Sequence, residues 1–219
     1  MQAQKILKDV VTSYSKIAEE FDATRDHPWS EFDIFLNQMD FEEEQKLLDV
    51  GCGNGRLLDF FKDQPIDYTG LDNNKKLLAI ARKTRKQENK KIIFKYGDIL
   101  KLPFPTNTFD TVWCIAVLHH IPTEELQLKA LKEMLRVLKH KGKLMLTVWN
   151  LWQLKYLKYI DEKTHDSFIP WGADKKTTRY YHAFTSPEMR KLLKKSGFEL
   201  KKEIKLKGNF NLSYVYEKS

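Results

Sequence analysis

Four residues near position 50 have the types and spacing of a ligand cradle: Asp49, Gly51, Gly53 and Gly55. They follow an apolar stretch that suits a buried strand, and residues 56–61 resemble the first turns of a helix. Glycine permits positive φ and the close approach of a ligand, and a helix N-terminus offers free amide donors. The pattern predicts a site for a nucleotide-type cofactor, and an ordinary glycine-rich turn between a strand and a helix is the alternative.

The acidic residues around this turn indicate which kind of cofactor it binds. A dinucleotide site prefers the spacing Gly-x-Gly-x-x-Gly, whereas here the glycines stand at every second position behind Asp49. An acid in front of the turn suits a ligand with a positively charged end rather than a phosphate. Asp72 ends the next predicted strand, where a carboxylate can accept both hydroxyls of a ribose. The alternative for Asp72 is that it caps the helix that begins just after it.

A pair of histidines, His119 and His120, follows the predicted fourth strand. Imidazoles at a strand end can act as a base or as donors that orient a substrate. A purely structural role is the alternative for both residues.

Strands that alternate with helices are predicted to position these residues. The N-terminal part has helical spacing of apolar residues over 4–20 and again from Pro28 to Met39. Further helices are predicted at 55–63, 74–88, 123–139 and 186–196, with Gly142 closing the third and Ser186 capping the last. Strands are predicted from Leu47 and at 67–72, 91–96, 109–117, 143–149, 198–206 and 211–216. This alternation is typical of a parallel sheet built from βαβ units.

The composition is that of one domain in a reducing compartment. The chain has 219 residues, a formal net charge of +8 and a pI of about 9.2. Its two cysteines, Cys52 and Cys114, lack the spacing of metal ligands, so neither a metal site nor a disulfide framework is predicted. No apolar run is long enough to cross a membrane, and no signal-peptide core is present. We expect a soluble cytoplasmic protein without a membrane partner. A basic balance fits a polyanionic partner and a solvated lysine-rich surface about equally well.

Residues 45–150 resemble the class I S-adenosylmethionine-dependent methyltransferases. The resemblance rests on the glycine turn, on Asp72, on Asp98 and on the strand that begins Phe109-Asp110, in that order along the chain. It implies an α/β, Rossmann-like fold with a seven-stranded, mostly parallel sheet, helices on both faces and a last strand that is antiparallel. S-adenosylmethionine is the implied cofactor. The residues implied to bind it are Asp49, Gly51, Gly53, Gly55, Asp72, Asp98, Ile99 and Ile115. Gly51 and Gly53 would lie beneath the methionine part, Asp49 would hold its amino group, and Asp98 and Ile99 would meet the adenine.

Two segments outside this core resemble the eukaryotic tRNA wobble-uridine methyltransferases, which esterify the carboxylate of 5-carboxymethyluridine. They are residues 14–29, with Arg25 and Pro28-Trp29, and residues 168–184, with Pro170-Trp171 and Arg179-Tyr180-Tyr181-His182. The resemblance implies a tRNA anticodon loop as the substrate. Those enzymes work with a small zinc-binding activator subunit, which the sequence of this chain does not require.

The chemistry of such a reaction suggests roles for the matching residues. A carboxylate is ionised at neutral pH and needs orientation more than a base. Arg25 and Arg179 are candidates to bind it in a bidentate pair. His119 and His182 are candidate donors, and the aromatic residues that could enclose a splayed base are Tyr180, Tyr181, Trp149 and Trp171. Surface salt bridges for the arginines and core packing for the aromatics are the alternatives.

The domain organisation follows from this division. One methyltransferase domain spans 1–219, with an N-terminal helical cap at 1–45, a cofactor-binding core at 46–150, a substrate-side insertion at 151–185 and closing elements at 186–219. Lysines flank the insertion and could track phosphates. They are Lys155, Lys158, Lys163, Lys175, Lys176, Lys191, Lys194 and Lys195. A methyltransferase of small molecules, such as a quinone or a carboxylic acid, is the alternative function, and a non-catalytic cofactor- or RNA-binding subunit is a third.

Overall fold

The fold was analysed in a computed structural model. The structure describes residues 2–24, 31–39, 41, 44–85, 91–171, 176–204 and 211–218. Arg25, the segment Pro28-Trp29, Lys175 and the turn predicted between the two closing strands lie outside the described residues.

Seven strands form one mixed sheet, and two more form a separate hairpin. The strands are β1 (Gln45–Val50), β2 (Ile66–Asp72), β3 (Ile92–Tyr96), β4 (Phe109–Ile115), β5 (Leu138–Trp149), β6 (Asp166–Trp171), β7 (Thr177–His182), β8 (Phe198–Ile204) and β9 (Asn211–Lys218). The order in the sheet is β3-β2-β1-β4-β5-β9-β8, and β9 runs antiparallel to both of its neighbours. The predicted seven-stranded, Rossmann-like architecture is therefore confirmed. Strands β6 and β7 form the hairpin within the region that was predicted as an insertion.

The helices pack on both faces of this sheet. They are α1 (Gln2–Lys16), α2 (Ala18–Ala23), α3 (Glu31–Leu36), α4 (Lys75–Thr84), α5 (Glu124–Val137), the single turn α6 (Leu154–Leu157) and α7 (Ser186–Ser196). Two 3-10 helices lie at Arg56–Phe61 and Leu118–His120. Among the described residues, no helix combines the length and the apolar character that a membrane span requires.

Side chains that point alternately to the two faces of the sheet divide the core into two layers. Val112 and Leu144 pack with α5 and α7 on one face. Trp113 and Met145, the next residues on the same strands, face the opposite layer with α3 and the first 3-10 helix. Both faces are apolar because helices cover both, as expected for a parallel sheet.

Three local predictions were wrong at their boundaries. The helix predicted at 123–139 ends at Val137, because Leu138 takes an extended conformation and begins the long strand β5. Gly142 lies within that strand, where an added Cβ would be 2.8 Å from the carbonyl oxygen of Lys139. The N-terminal cap of α7 is Thr185 rather than Ser186, because Thr185 and Glu188 form a reciprocal capping box.

Candidate active site

One cavity lies at the carboxyl ends of β1, β2 and β4, and helix α1 borders it. Leu7, Val10, Val11 and Tyr14 of α1 form part of its wall. In an open α/β sheet, ligands bind at this edge, where the loops after the strands converge. Eight of the predicted site residues line the cavity: Asp49, Gly51, Gly53, Asp72, Ile99, Ile115, His119 and Arg179.

The glycine turn has the backbone conformation that its sequence predicted. Gly51 and Gly53 have φ values of +73° and +55°. A Cβ on Gly51 would stand 2.5 Å from a methyl group of Val117, whereas a Cβ on Gly53 would have its nearest contact at 3.6 Å, with Phe21. Gly51 therefore allows close packing beneath the cavity, and Gly53 keeps its floor open. Gly55, with φ +73°, begins the 3-10 helix and does not line the cavity.

The carboxylate of Asp72 ties the glycine turn to helix α4. It accepts hydrogen bonds from the backbone N–H of Gly53 at 2.8 Å and of Asn74 at 2.7 Å. The cap of α4 is Asn74, whose side chain accepts from the backbone of Lys76 and Leu77. Burial raises the pKa of Asp72, while the backbone donors act in the opposite direction. Since a carboxylate has about four acceptor positions, Asp72 can still bind hydroxyl groups from the cavity.

Asp49 is the second buried carboxylate at this edge. Its Oδ2 accepts a hydrogen bond of 2.5 Å from the Tyr68 hydroxyl. Burial raises the pKa of Asp49 to about 7, against the lowering effect of that hydrogen bond, and the charge of Asp72 raises it further. A cationic group in the cavity would favour the ionised form of Asp49.

Asp98 differs from the other predicted acids because it is exposed. Its carboxylate accepts a hydrogen bond from the backbone N–H of Leu100 at 2.9 Å. Its neighbours Gly97 and Ile99 line the cavity, whereas Asp98 does not. Ile115 lines it at the end of β4, just before Ala116, whose backbone has a positive φ of 57°.

Both histidines of the pair are buried and neutral. His119 accepts the backbone N–H of Trp149 at Nδ1, over 3.1 Å, so its proton lies on Nε2. His120 donates from Nδ1 to the carbonyl of Tyr180, and its Nε2 accepts from the Tyr14 hydroxyl, both at 2.8 Å. Burial lowers the pKa of His119 well below its usual value and that of His120 to about 3. His119 can therefore offer an N–H donor, and neither ring is charged at neutral pH.

Arg179 is a buried cation within a cage of aromatic rings. Arg179 is 2 % exposed, and its guanidinium carbon lies 4.0 Å from the ring centre of Trp171 and 5.2 Å from that of Tyr181. Tyr14 and Trp149 complete the cage. The Nη1 atom donates to the Tyr14 hydroxyl at 3.1 Å, while Nε is buried without a partner. No carboxylate among the described residues pairs with Arg179.

Such a cation calls for an anionic ligand. Cation–π contacts contribute about 0.5–2 kcal/mol each, whereas the desolvation of a buried ion costs several kcal/mol. The cavity that Arg179 lines is where an anion can reach it. The aromatic residues that were predicted to enclose a base, Trp149, Trp171 and Tyr181, surround the guanidinium.

Tyr180 and His182 lie on the other face of the hairpin. The Tyr180 hydroxyl donates to Asp166 at 2.6 Å, and His182 bridges Asp166 at 3.3 Å and Glu188 at 2.7 Å. Neither side chain lines the cavity, so their predicted direct roles are not supported by this placement. Tyr180 takes part through its carbonyl, which accepts from His120. Burial lowers the pKa of His182, but the two carboxylates outweigh it and raise that pKa to about 9.

Sequence reasoning did not assign Tyr14 to the cavity, and it found His120 without its hydrogen-bond partners. Tyr14 lies at helical spacing among the apolar residues of α1 and therefore resembled core. A tyrosine on the apolar face of a helix needs a partner for its hydroxyl, which was the available signal. His120 was noticed as one of a pair, but the pattern did not indicate its bonds to both α1 and β7.

Comparisons with known proteins agree with this geometry. A sequence profile described as a methyltransferase domain matches residues 48–146. A protein of Encephalitozoon cuniculi, named as a methyltransferase without a stated substrate, is 34% identical over 85% of each chain. The tRNA (carboxymethyluridine(34)-5-O)-methyltransferase of Schizosaccharomyces pombe is 31% identical over 84% of this chain and 86% of its own. The chain belongs to the S-adenosylmethionine-dependent methyltransferases.

A solved structure shows that the whole fold is shared. A methyltransferase-fold chain from a complex with the Haloferax volcanii Trm112 methyltransferase activator aligns with a TM-score of 0.70. The alignment covers 95% of this methyltransferase and 96% of that chain, at 18% identity.

The cavity of this methyltransferase fits S-adenosylmethionine, its cofactor. The glycine floor has no side chain that would exclude a ligand, since the nearest contact of a Cβ on Gly53 would be at 3.6 Å. Two buried carboxylates suit the ligand's hydroxyl and cationic groups. Arg179, whose Nε has no hydrogen-bond partner, lines the same cavity.

Proposed function

We propose that this methyltransferase acts on tRNA and esterifies the carboxylate of 5-carboxymethyluridine at the wobble position. The first support is the relationship with the fission-yeast enzyme of that name, which extends over 84% of the chain. The second is a cavity with a buried, unpaired arginine, which suits an acidic methyl acceptor.

The unpaired charge of Arg179 is the observation that carries the proposal. Arginine binds a carboxylate through two parallel N–H···O bonds, which fix the plane of the acid as well as its position. Nε of Arg179 has no partner, whereas Nη1 already donates to Tyr14. The carboxylate of the uridine side chain would bind the free edge of the guanidinium, and the aromatic cage would keep that edge in place.

The neutral histidines agree with an acid as the acceptor. A carboxylate is ionised at neutral pH and needs no base to remove a proton before it attacks. Burial keeps both histidines neutral, so neither is poised as a strong base. His119 would donate its Nε2–H to an oxygen of the substrate, and His120 would hold Tyr14 in place.

The remaining cavity residues would hold the cofactor. Bound S-adenosylmethionine supplies an electrophilic methyl group. Asp72 would bind its ribose hydroxyls, and Asp49 its amino group. Gly51 and Gly53 would lie beneath the methionine part. Ile99 would contact the adenine, and Ile115 would border the reacting end.

Nucleoside mass spectrometry of tRNA from cells that lack this gene tests the proposal. The expected result is loss of the methyl ester and accumulation of 5-carboxymethyluridine. An experiment in cells retains any activator subunit, such as the Trm112 protein found in the Haloferax volcanii complex. Unchanged wobble uridines would reject the tRNA function and leave a small carboxylic acid as the acceptor.

Complementation tests the role of Arg179. Arg179→Met removes the cation and keeps an unbranched apolar side chain in the cage, so the gene should fail to restore the ester. Arg190→Met is the matched control, because Arg190 is exposed and pairs with Glu203 on the surface. Calorimetry should show that the purified Arg179→Met protein still binds S-adenosylhomocysteine. Restoration of the ester by Arg179→Met would remove this arginine from the site.

A further inference from the structure

We propose that His165, His182 and Glu188 form a binding site for a divalent transition metal ion, with Zn²⁺ as the matching probe. The three side chains lie outside the cavity, where the β6–β7 hairpin meets the start of helix α7. The proposal does not depend on the identity of the methyl acceptor.

The distances between the three side chains are close to those of a metal site. Each offers one ligand atom, and these atoms lie within 4.8 Å of one another. His182 Nε2 is 2.7 Å from Glu188 Oε1, and His165 Nδ1 is 3.5 Å from Glu188 Oε2. Zinc bonds of about 2.0–2.1 Å in a tetrahedron place the ligand atoms roughly 3.3 Å apart. Small side-chain rotations would bring all three atoms to that spacing.

A second layer of hydrogen bonds already orients one of the ligands. His182 donates from Nδ1 to Asp166 at 3.3 Å, which leaves Nε2 for the metal. Asp166 in turn accepts from the Tyr180 hydroxyl at 2.6 Å. A carboxylate behind a histidine fixes the ring and raises its basicity as a ligand, and it commonly accompanies metal-bound histidine. This arrangement also gives the Tyr180 hydroxyl and His182 a role at the metal site, although neither side chain lines the cavity.

The backbone holds the other two ligands in place. His165 has a positive φ of 59°, and its carbonyl accepts from the backbone N–H of Ala183 at 2.8 Å. The edge of its ring packs on Trp152. Glu188 is fixed by the capping box at the start of α7. Each ligand therefore comes from a constrained segment, and ordering the site on binding would cost little entropy.

The ligand set selects among metal ions. Two imidazoles and one carboxylate suit zinc and its neighbours in the first transition row, whereas magnesium and calcium prefer oxygen ligands only. Three protein ligands leave one position for water, as in an open zinc site. A bound ion would join the hairpin, which carries Arg179, to helix α7.

Calorimetry and metal analysis after dialysis test the proposal on the purified chain. We expect one Zn²⁺ per chain, no binding of Mg²⁺ at the same concentration, and a melting temperature that rises with Zn²⁺. His165→Asn should weaken binding at least about tenfold. Asparagine tolerates positive φ, so this variant should retain the fold. Glu188→Gln should weaken binding to the same extent, because it removes the carboxylate ligand. This variant should also retain the fold, since glutamine supports a capping box.

His140→Asn is the matched control, because His140 is exposed on β5 and far from the cluster in the chain. It should bind Zn²⁺ like the unchanged protein. Absence of Zn²⁺ binding by the unchanged protein would mean that the cluster is a hydrogen-bonded ion-pair network only. Undiminished binding by both His165→Asn and Glu188→Gln would also overturn the proposal.

Discussion

At the scale of single residues, the cavity combines two arginines, Arg56 and the buried Arg179, with two buried carboxylates and two neutral imidazoles. Burial favours the neutral form of four of these groups, since it raises the pKa values of Asp49 and Asp72 and lowers those of His119 and His120. A cationic group of a ligand would favour the ionised form of the carboxylates.

Asp49 leads to a prediction about pH. Its pKa of about 7 in the free protein means that it holds a proton at lower pH, and it must lose that proton to pair with a cationic amino group. The affinity for S-adenosylhomocysteine should therefore fall about tenfold per pH unit below pH 7 and level off above it. Calorimetry between about pH 5.5 and 8.5 measures this dependence.

Asp49→Asn provides the control for this prediction. The amide cannot ionise, so binding should be weaker at pH 8 and nearly independent of pH over the same range. A dependence that persists in Asp49→Asn would assign the titration to another group.

Much of the candidate cofactor site could be predicted at this scale, because its residue types follow directly from the conformation that the backbone must adopt. Positive φ at Gly51 and Gly53 and the acid at the end of β2 are local features that a sequence displays. The burial of Arg179 could not be predicted, since it depends on aromatic rings from α1, β5 and the hairpin. Arg25 lies outside the described residues, and its role stays a prediction.

At the scale of elements, the contact between α1 and β7 organises the side of the cavity that contains Arg179. Tyr14 of α1 accepts from Arg179 of β7 and donates to His120, which donates to the β7 backbone. Ser13 adds a hydrogen bond of 2.9 Å to the carbonyl of Thr178. The N-terminal helix thereby fixes the direction of the guanidinium.

Tyr14→Phe tests this coupling. Loss of the hydroxyl removes two hydrogen bonds from buried groups, and kcat/KM should fall about tenfold or more, since each such bond contributes about 1 kcal/mol. Binding of S-adenosylhomocysteine should change little. Steady-state kinetics and calorimetry give the two values.

Tyr180→Phe is the matched comparison, because it also deletes one tyrosine hydroxyl group. The Tyr180 side chain lies on the face of β7 opposite to that of Arg179. The variant should cost roughly 1 kcal/mol of stability by breaking the hydrogen bond to Asp166 and leave kcat/KM unchanged. Equal losses of kcat/KM in both variants would contradict the division of the hairpin into two faces.

That division explains why the predicted set of substrate residues was mixed. Successive side chains of a strand point to opposite faces, so Arg179 and Tyr180 cannot both reach one cavity. Arg179 and Tyr181 face the cage, while Tyr180 and His182 face Asp166. If the segment Arg179-Tyr180-Tyr181-His182 is recognised as a strand, its two-residue period places Arg179 and Tyr181 on one face and Tyr180 and His182 on the other. The sequence alone would then have predicted this division.

At the scale of the whole molecule, the basic surface leads to a prediction about tRNA binding. Lys158, Lys163 and Lys191 are exposed on the insertion and on α7. If they contact phosphates, their replacement by alanine should weaken tRNA binding and lower the slope of log K against log salt by roughly 0.7 per lost contact. Filter binding between about 50 and 200 mM salt measures the slope.

Lys46→Ala with Lys62→Ala is the control, because both lysines are exposed near the amino ends of β1 and β2, at the other edge of the sheet. This pair should leave the slope unchanged. An equal decrease per replaced lysine in the two proteins would attribute the slope to overall charge rather than to a defined surface.

The prediction of the whole fold depended both on the pattern of strands and helices and on the family resemblance. Alternating strands and helices indicated a parallel sheet, but only the family resemblance implied that all seven strands form one sheet and that the last of them is antiparallel. Periodicity could not give the end of α5, because Leu138 enters a strand with no glycine or proline at the boundary. Tertiary pairing between Leu138 and Phe109 decides that point.

The unpaired arginine has a consequence for turnover. In the proposed reaction, the acceptor enters the aromatic cage as an anion and becomes a neutral ester. The ester keeps the shape of the substrate but loses a charge-assisted hydrogen bond, which contributes about 1.5–3 kcal/mol. Product should therefore bind roughly 10- to 100-fold more weakly than substrate. Methylation itself would remove the negative charge that binds the acceptor to Arg179. Accumulated ester would therefore inhibit the enzyme little.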